Sequence, residues 1–294
     1  MKAAAQAEMK AQLKRRAAKI DAFLAARITG ATRLHEAMLY SLQAGGKRLR
    51  PALCLGFASL GGLPEDKALP FAAAIEMIHT YSLIHDDLPA MDNDDFRRGK
   101  PACHKQFGEA CAILAGDALL TDAFAIASDS DVPAKALLRA LIALATAAGS
   151  EGMAGGQMLD MEYTGLPDIS RKQIATMQAM KTGALIRASC VCGALLAGAP
   201  ERVITAAQTY GASLGLAFQI ADDILDITAT AAELGKPQGS DSRQGKTTWP
   251  LLLGIEQSRA LALAEANKAK QALPACDEAG FLAELADYAV CRSA

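Results

Sequence analysis

The stretch LAFQIADDILDI, residues 216–227, decides the fold. Its apolar members Ala217, Phe218, Ile220, Ile224, Leu225 and Ile227 recur with helical spacing, so the segment reads as a helix facing a core. On that helix Asp222 and Asp226 lie four residues apart and share a face, with Asp223 beside them. Two carboxylates about 4 Å apart repel by roughly 1 kcal/mol in water and about 4 kcal/mol in a partly buried site. Acids on a core-like helix therefore call for a cation. With no His or Cys in the cluster, the hard oxygen ligands suit magnesium, which keeps several waters and bridges to phosphate oxygens.

A second acidic cluster, HDDLPAMD, closes the apolar stretch that begins at Phe71. Asp92 follows Asp86 by six residues, which a regular helix would turn to another side. Pro89 disfavours helical geometry at Leu88 and ends the helix, so Asp92 can fold back toward Asp86, with Asp87 nearby. Either cluster alone reads equally well as a solvated acidic patch. Two of them, each ending a long apolar helix, point to a pocket with acids at its mouth.

Outward from these clusters the chain reads as all-α. It has only four valines, and no segment alternates apolar with polar residues for long, so strands are not expected. Helical spacing runs over 3–28, 34–44, 51–60, 65–88, 105–128, 134–150, 170–197, 201–228, 248–270 and 277–289. Nothing reads as a linker, so residues 1–294 form one domain, and folding at this length buries roughly 75% of the unfolded surface. A net charge of −2 gives no footprint for nucleic acid. The N-terminal stretch scatters charge through any apolar run, and the longest uncharged runs fall short of the ~20 residues of a membrane span. A soluble cytoplasmic protein without membrane partners is expected. The seven cysteines show no paired zinc or redox spacing and read as reduced thiols.

Cations are also placed for an anion. Gly45-Gly46-Lys47-Arg48-Leu49-Arg50-Pro51 combines flexible backbone, three cations and a helix start. Arg97 and Arg98 supply planar forks. Lys181-Thr182, Gln219, Lys236 and Lys246 are further candidates, each weak alone. His79 lies two helical turns before Asp86 and faces the same side.

Taken together, GGKRLRP, HTYSLIHDDLPAMDNDDFRRGKPACH, GGQMLD, KTG, FQIADDILD and GKTTWP resemble, in order and spacing, the bacterial trans-isoprenyl diphosphate synthases, the farnesyl-producing members most closely. The resemblance spans nearly the whole chain. It implies the isoprenoid synthase fold, an antiparallel helical bundle around a deep cavity, a homodimer, and about three magnesium ions per site. It further implies that Asp86, Asp87, Asp92, Asp222, Asp223 and Asp226 hold the metals. Arg97, Lys181 and Lys246 are then assigned to the allylic diphosphate and Lys47, Arg50, His79 and Arg98 to isopentenyl diphosphate, with Lys236 a further substrate-binding position. Thr182 and Gln219 line the reacting carbons, and Tyr81 and Ser82 are the chain-length positions. Tyr81, five residues before Asp86, floors the pocket in this reading; its plain alternative is core packing.

The implied activity is condensation of isopentenyl diphosphate with dimethylallyl and then geranyl diphosphate, giving (2E,6E)-farnesyl diphosphate. A geranylgeranyl or geranyl diphosphate synthase shares these motifs and is the competing reading. Lys47, Arg50, His79 and Arg98 argue against a terpene cyclase. Two complete acidic clusters argue against a non-catalytic partner subunit.

Overall fold

The computed structural model describes residues 2–228, 245–276 and 279–291. Its helices are α1 Lys2–Arg27, α2 Arg33–Leu42, α3 Leu49–Leu60, α4 Glu65–Asp86, α5 Cys103–Phe107, α6 Glu109–Ser128, α7 Ala134–Ala148 and α8 Met153–Tyr163. They continue with α9 Arg171–Gln178, α10 Ala184–Leu196, α11 Glu201–Thr228, α12 Trp249–Leu253, α13 Ile255–Ala272 and α14 Gly280–Val290.

Helix α10 is the centre of the bundle because its sequence, ALIRASCVCGALL, carries one charge and is otherwise small or apolar. Every residue of it except Arg187 is buried, against α3, α7 and α11. Helix α4 packs between α3 and α6, and α11 between α10 and α13. Phe57 and Tyr210 meet edge-on at 5.3 Å between ring centres. Tyr210 Oη donates to the Leu282 carbonyl at 2.7 Å, which ties α14 to the core. Each large apolar side chain so buried contributes about 1.5–3 kcal/mol.

The fold is all-α, with local departures from the sequence expectation: Gly108 splits the helix expected over 105–128 and Gly254 the one expected over 248–270, alongside three further differences. A two-stranded antiparallel ribbon, β1 Phe96–Arg97 with β2 Lys100–Pro101, follows the first acidic cluster. It is too short to leave an alternating pattern. Helix α8 falls where no helix was expected, since Gly155 and Gly156 in its first turns break the apolar period and lower helix propensity. The expected helix 170–197 is interrupted at Ala179–Gly183 by a π-helical turn, a form that recurs at functional sites.

One exclusion needs correcting. Three helical stretches, Glu109–Ser128, Ala134–Tyr163 and Arg171–Leu196, are long and apolar enough to cross a membrane by length and composition. Counting unbroken apolar runs missed them because isolated polar residues interrupt each. The third is 72% buried inside the protein. No disulfide joins the cysteines, as expected.

Candidate active site

Two adjoining cavities collect most of the predicted site residues. The larger, about 480 Å³, is lined by Asp86, Asp92, Arg97, Lys181, Thr182 and Gln219, with Tyr81 and Ser82 deeper on α4. The smaller, about 290 Å³, is lined by Lys47, Arg98 and Glu76 together with Phe218 and Tyr288. Arg50 and His79 line both and form the shared wall. A cavity of about 760 Å³ lies elsewhere, over α10, and holds none of the predicted residues.

The first acidic cluster takes its shape from the chain reversal at Leu88-Pro89. Asp86 ends α4, and the Asp92 N–H donates back to the Asp86 carbonyl at 2.8 Å. Burial, with help from Asp92 and Asp87 and against Lys181 and Arg97, pushes the Asp86 carboxyl up to about 6. Lys181 and Arg97 thus offset only part of the cost of burying its charge. Asp87 faces another way: it is buried, and Arg97 Nε donates to both its oxygens at 3.0 and 3.2 Å. Arg97 is thus anchored on the acid next to the cluster while still lining the cavity.

Opposite lies a lysine pair built by close backbone packing. A Cβ on Gly156 would stand 2.0 Å from the Lys181 amide nitrogen, so only glycine lets α8 approach the π-helical turn this closely. That approach sets Asp160 Oδ2 at 2.6 Å from Lys181 Nζ and 3.3 Å from Lys246 Nζ. Lys246 also reaches Asp92 Oδ1 at 3.4 Å. Burial pushes the Asp160 carboxyl up, but the two lysines outweigh it and hold it below the usual range. Gln157, one α-helical turn earlier, has both side-chain polar atoms buried without a partner among the described residues. Such groups facing a cavity mark a place for a polar ligand.

In the second cluster Asp223 is buried and accepts the Trp249 N–H at 2.9 Å. Gln178 Nε2 donates to it at 3.3 Å, and Trp249 Nε1 donates to Gln178 Oε1 at 2.6 Å. The network fixes the segment that follows Lys246 onto α11. Asp222 is half-buried and close enough to Arg50 to stabilise its charge. Asp226 is buried. Lys236 lies outside the described residues.

The wall between the cavities is electropositive. Burial pushes Arg50 down to about 10 and Arg98 adds to this, whereas Glu76 and Asp222 oppose. Burial also drives His79 well below the normal imidazole range, and Arg50, Arg98, Arg97 and Arg48 push the same way, so it is neutral. The Nε of Arg50 is buried and has no hydrogen-bond partner among the described residues. A closely approaching anion would satisfy it.

Among the described residues no three His, Cys, Asp or Glu side chains converge as a ready-made metal cage. The oxygen-only donors Asp86 and Asp92 fit a hard cation that takes its remaining ligands from water and phosphate. Sequence reasoning assigned no role to Asp160, Gln157, Gln178 or Glu76, and it counted Arg48 among three cations placed for an anion, whereas Arg48 is buried and paired with Asp21 and Glu76. Asp160 and Gln157 sit in the GGQMLD motif, so a signal for them existed; Glu76 and Gln178 left none, being single polar residues in apolar or mixed helices.

Comparison with known proteins agrees with this geometry. The polyprenyl synthetase family profile matches residues 31–278. The chain is 47% identical over 286 residues to a dimethylallyltranstransferase of Fischerella ambigua, covering 96% of this chain and 83% of that protein. It is 50% identical over 232 residues to a farnesyl diphosphate synthase of Geobacillus stearothermophilus, covering 78% of each. A geranylgeranyl pyrophosphate synthetase of Pyrococcus horikoshii superposes with a TM-score of 0.89 at 32% identity, over 97% of this chain and 99% of that one. The family match over most of the chain and the level of identity to these enzymes show that this chain belongs to the polyprenyl synthetase family and is a prenyltransferase.

Proposed function

We propose that the protein condenses isopentenyl diphosphate with dimethylallyl and then geranyl diphosphate, releasing diphosphate and giving (2E,6E)-farnesyl diphosphate. The observation that carries this reading is the wall of Arg50 and His79 shared by an acid-and-lysine cavity and an arginine-rich one. Two diphosphates are thereby held apart while their carbon ends meet.

The allylic diphosphate sits between the acids and the lysines. Asp86, Asp92 and Asp222 would hold magnesium, supported from behind by Asp87, Asp223 and Asp226, and the ion when bound would supply charge that stabilises the departing diphosphate. Lys181, Lys246 and Arg97 donate to that diphosphate, and Asp160 keeps both lysines turned inward. Lys47, Arg50, neutral His79 and Arg98 hold isopentenyl diphosphate with its double bond toward the allylic cation. Thr182 and Gln219 line the space where the carbons join. The isopentenyl double bond is the nucleophile and the released diphosphate takes the final proton, so neither a side-chain nucleophile nor a side-chain base is needed.

Tyr81 lies about 7.5 Å along α4 from Asp86 yet lines the same cavity, which supports its role as the floor. Its ring is held edge-on by His85 at 5.8 Å. That aromatic floor favours a fifteen-carbon product over the twenty-carbon alternative.

We infer a homodimer through α6 and α7, where Ile113, Leu114, Leu138 and Ile142 are 44%, 58%, 59% and 58% exposed. Large apolar side chains exposed on two touching helices suit an interface. A second copy covering it would account for the apolar character of two of the three long helices, consistent with a cytoplasmic enzyme without membrane partners. Chelating magnesium from purified protein supplied with both diphosphates is expected to abolish prenyl product. Undiminished product in excess chelator would contradict the metal assignment.

A further inference from the structure

Arg48 is the middle cation of GGKRLRP, and it behaves unlike its neighbours. Lys47 is exposed and Arg50 faces the cavities, whereas the Arg48 side chain is 1% exposed. Its backbone is left-handed, φ 50°, a region that residues with a Cβ seldom adopt. Strain of this kind persists only where the surroundings over-determine it.

The surroundings here are four acceptors from four places. Arg48 Nη1 donates to Glu76 Oε1 on α4 and to the Gly45 carbonyl, each at 2.9 Å. Its Nε donates to Asp21 Oδ1 on α1 at 2.7 Å, and its Nη2 to the Leu42 carbonyl at the end of α2. Only a guanidinium offers a planar fork that can meet so many acceptors at once. Arg98 donates to the same Gly45 carbonyl, and a Cβ on Gly46 would stand 2.7 Å from Arg98 Nη1. The loop and three helices therefore converge on one buried cation, and Arg98, from the turn of the β-ribbon, joins them at the Gly45 carbonyl.

Glu76 completes the arrangement. It is 2% exposed and is the acid among Arg48, Arg50 and Arg98. One carboxylate beneath three arginines and Lys47 leaves the cavity positive while fixing where the cations stand.

We propose that the buried Arg48–Glu76 ion pair is the positioning element of the arginine-rich cavity, acting on the bound homoallylic diphosphate through Lys47, Arg50 and Arg98. The left-handed turn at Arg48 aims Lys47 and Arg50 into one cavity, and the pair locks that turn onto α4. The inference rests on the reading of this cavity as the isopentenyl diphosphate site.

Steady-state kinetics of Glu76→Gln and Arg48→Lys, with both substrates varied, tests it. The KM for isopentenyl diphosphate is expected to rise about tenfold or more, with the KM for geranyl diphosphate held within about twofold. Asp21→Asn loosens the clamp without stranding a buried charge, because Asp21 is half exposed. It is expected to fold and to show the same selective rise at about two- to threefold. Calorimetric titration of each variant with geranyl diphosphate and magnesium reports on folding of the other half of the site. Equal rises for both substrates, or no rise in Asp21→Asn and in whichever other variants fold, would overturn the proposal. Wild-type protein that binds no isopentenyl diphosphate would instead overturn the reading of the cavity.

Discussion

Asp160 accepts a hydrogen bond from Lys181 at 2.6 Å while its same oxygen lies 3.3 Å from Lys246. A single carboxylate thus holds two lysines that arrive from distant parts of the chain. Without it, the two ammonium groups would repel and turn toward solvent.

Asp160→Asn is therefore expected to lower kcat about 10- to 100-fold, because the lysines lose their fixed aim at the leaving diphosphate. Steady-state rates alongside a thermal melt check this. An unchanged kcat would show that the lysines need no anchor.

Trp249→Phe removes the indole N–H and leaves Gln178 Oε1 buried without its 2.6 Å donor. Loss of such a partner costs about 1–3 kcal/mol. Chemical denaturation should register that loss, with a smaller fall in activity as the segment after Lys246 loosens. Wild-type stability in the variant would show that the indole donor contributes nothing to the network.

Stability should fall in acid through His79. Its folded-state pKa is depressed, so between the unfolded value near 6.5 and the folded value the unfolded chain binds the extra proton. The stability contribution is fully present above the unfolded value and is lost as pH falls below it. His79→Gln is expected to flatten the loss of denaturation free energy from pH 7 to pH 5. An equal slope in both proteins would contradict the neutral assignment.

How much of this was legible in the chain follows from what leaves a periodic trace. The helix Glu201–Thr228 was read with its bounds because its apolar face repeats through seven turns and its acids interrupt it. Helix α8 leaves no such trace because the glycines that weaken its periodicity serve close packing, Gly155 against the Ser150 carbonyl and Met180 and Gly156 against Lys181, a tertiary reason. Asp86, Asp92, Lys181, Thr182 and Gln219 gather in one cavity as their motifs suggested. The orienting residues Asp160, Gln178 and Glu76 each act through a partner more than 20 residues away, which local spacing cannot encode.

Tyr81→Ala is expected to lengthen the product by removing the ring that Tyr81 presents beside His85. The fraction of twenty-carbon and longer products should rise about tenfold. An unchanged distribution would place the floor elsewhere.

Product chain length tests the central claim most directly. Purified protein with magnesium, isopentenyl diphosphate and labelled dimethylallyl or geranyl diphosphate should give (2E,6E)-farnesyl diphosphate as its dominant product, read as the alcohol after phosphatase treatment. A dominant twenty-carbon product would contradict the assigned length, and the absence of any prenyl product would contradict the assigned chemistry.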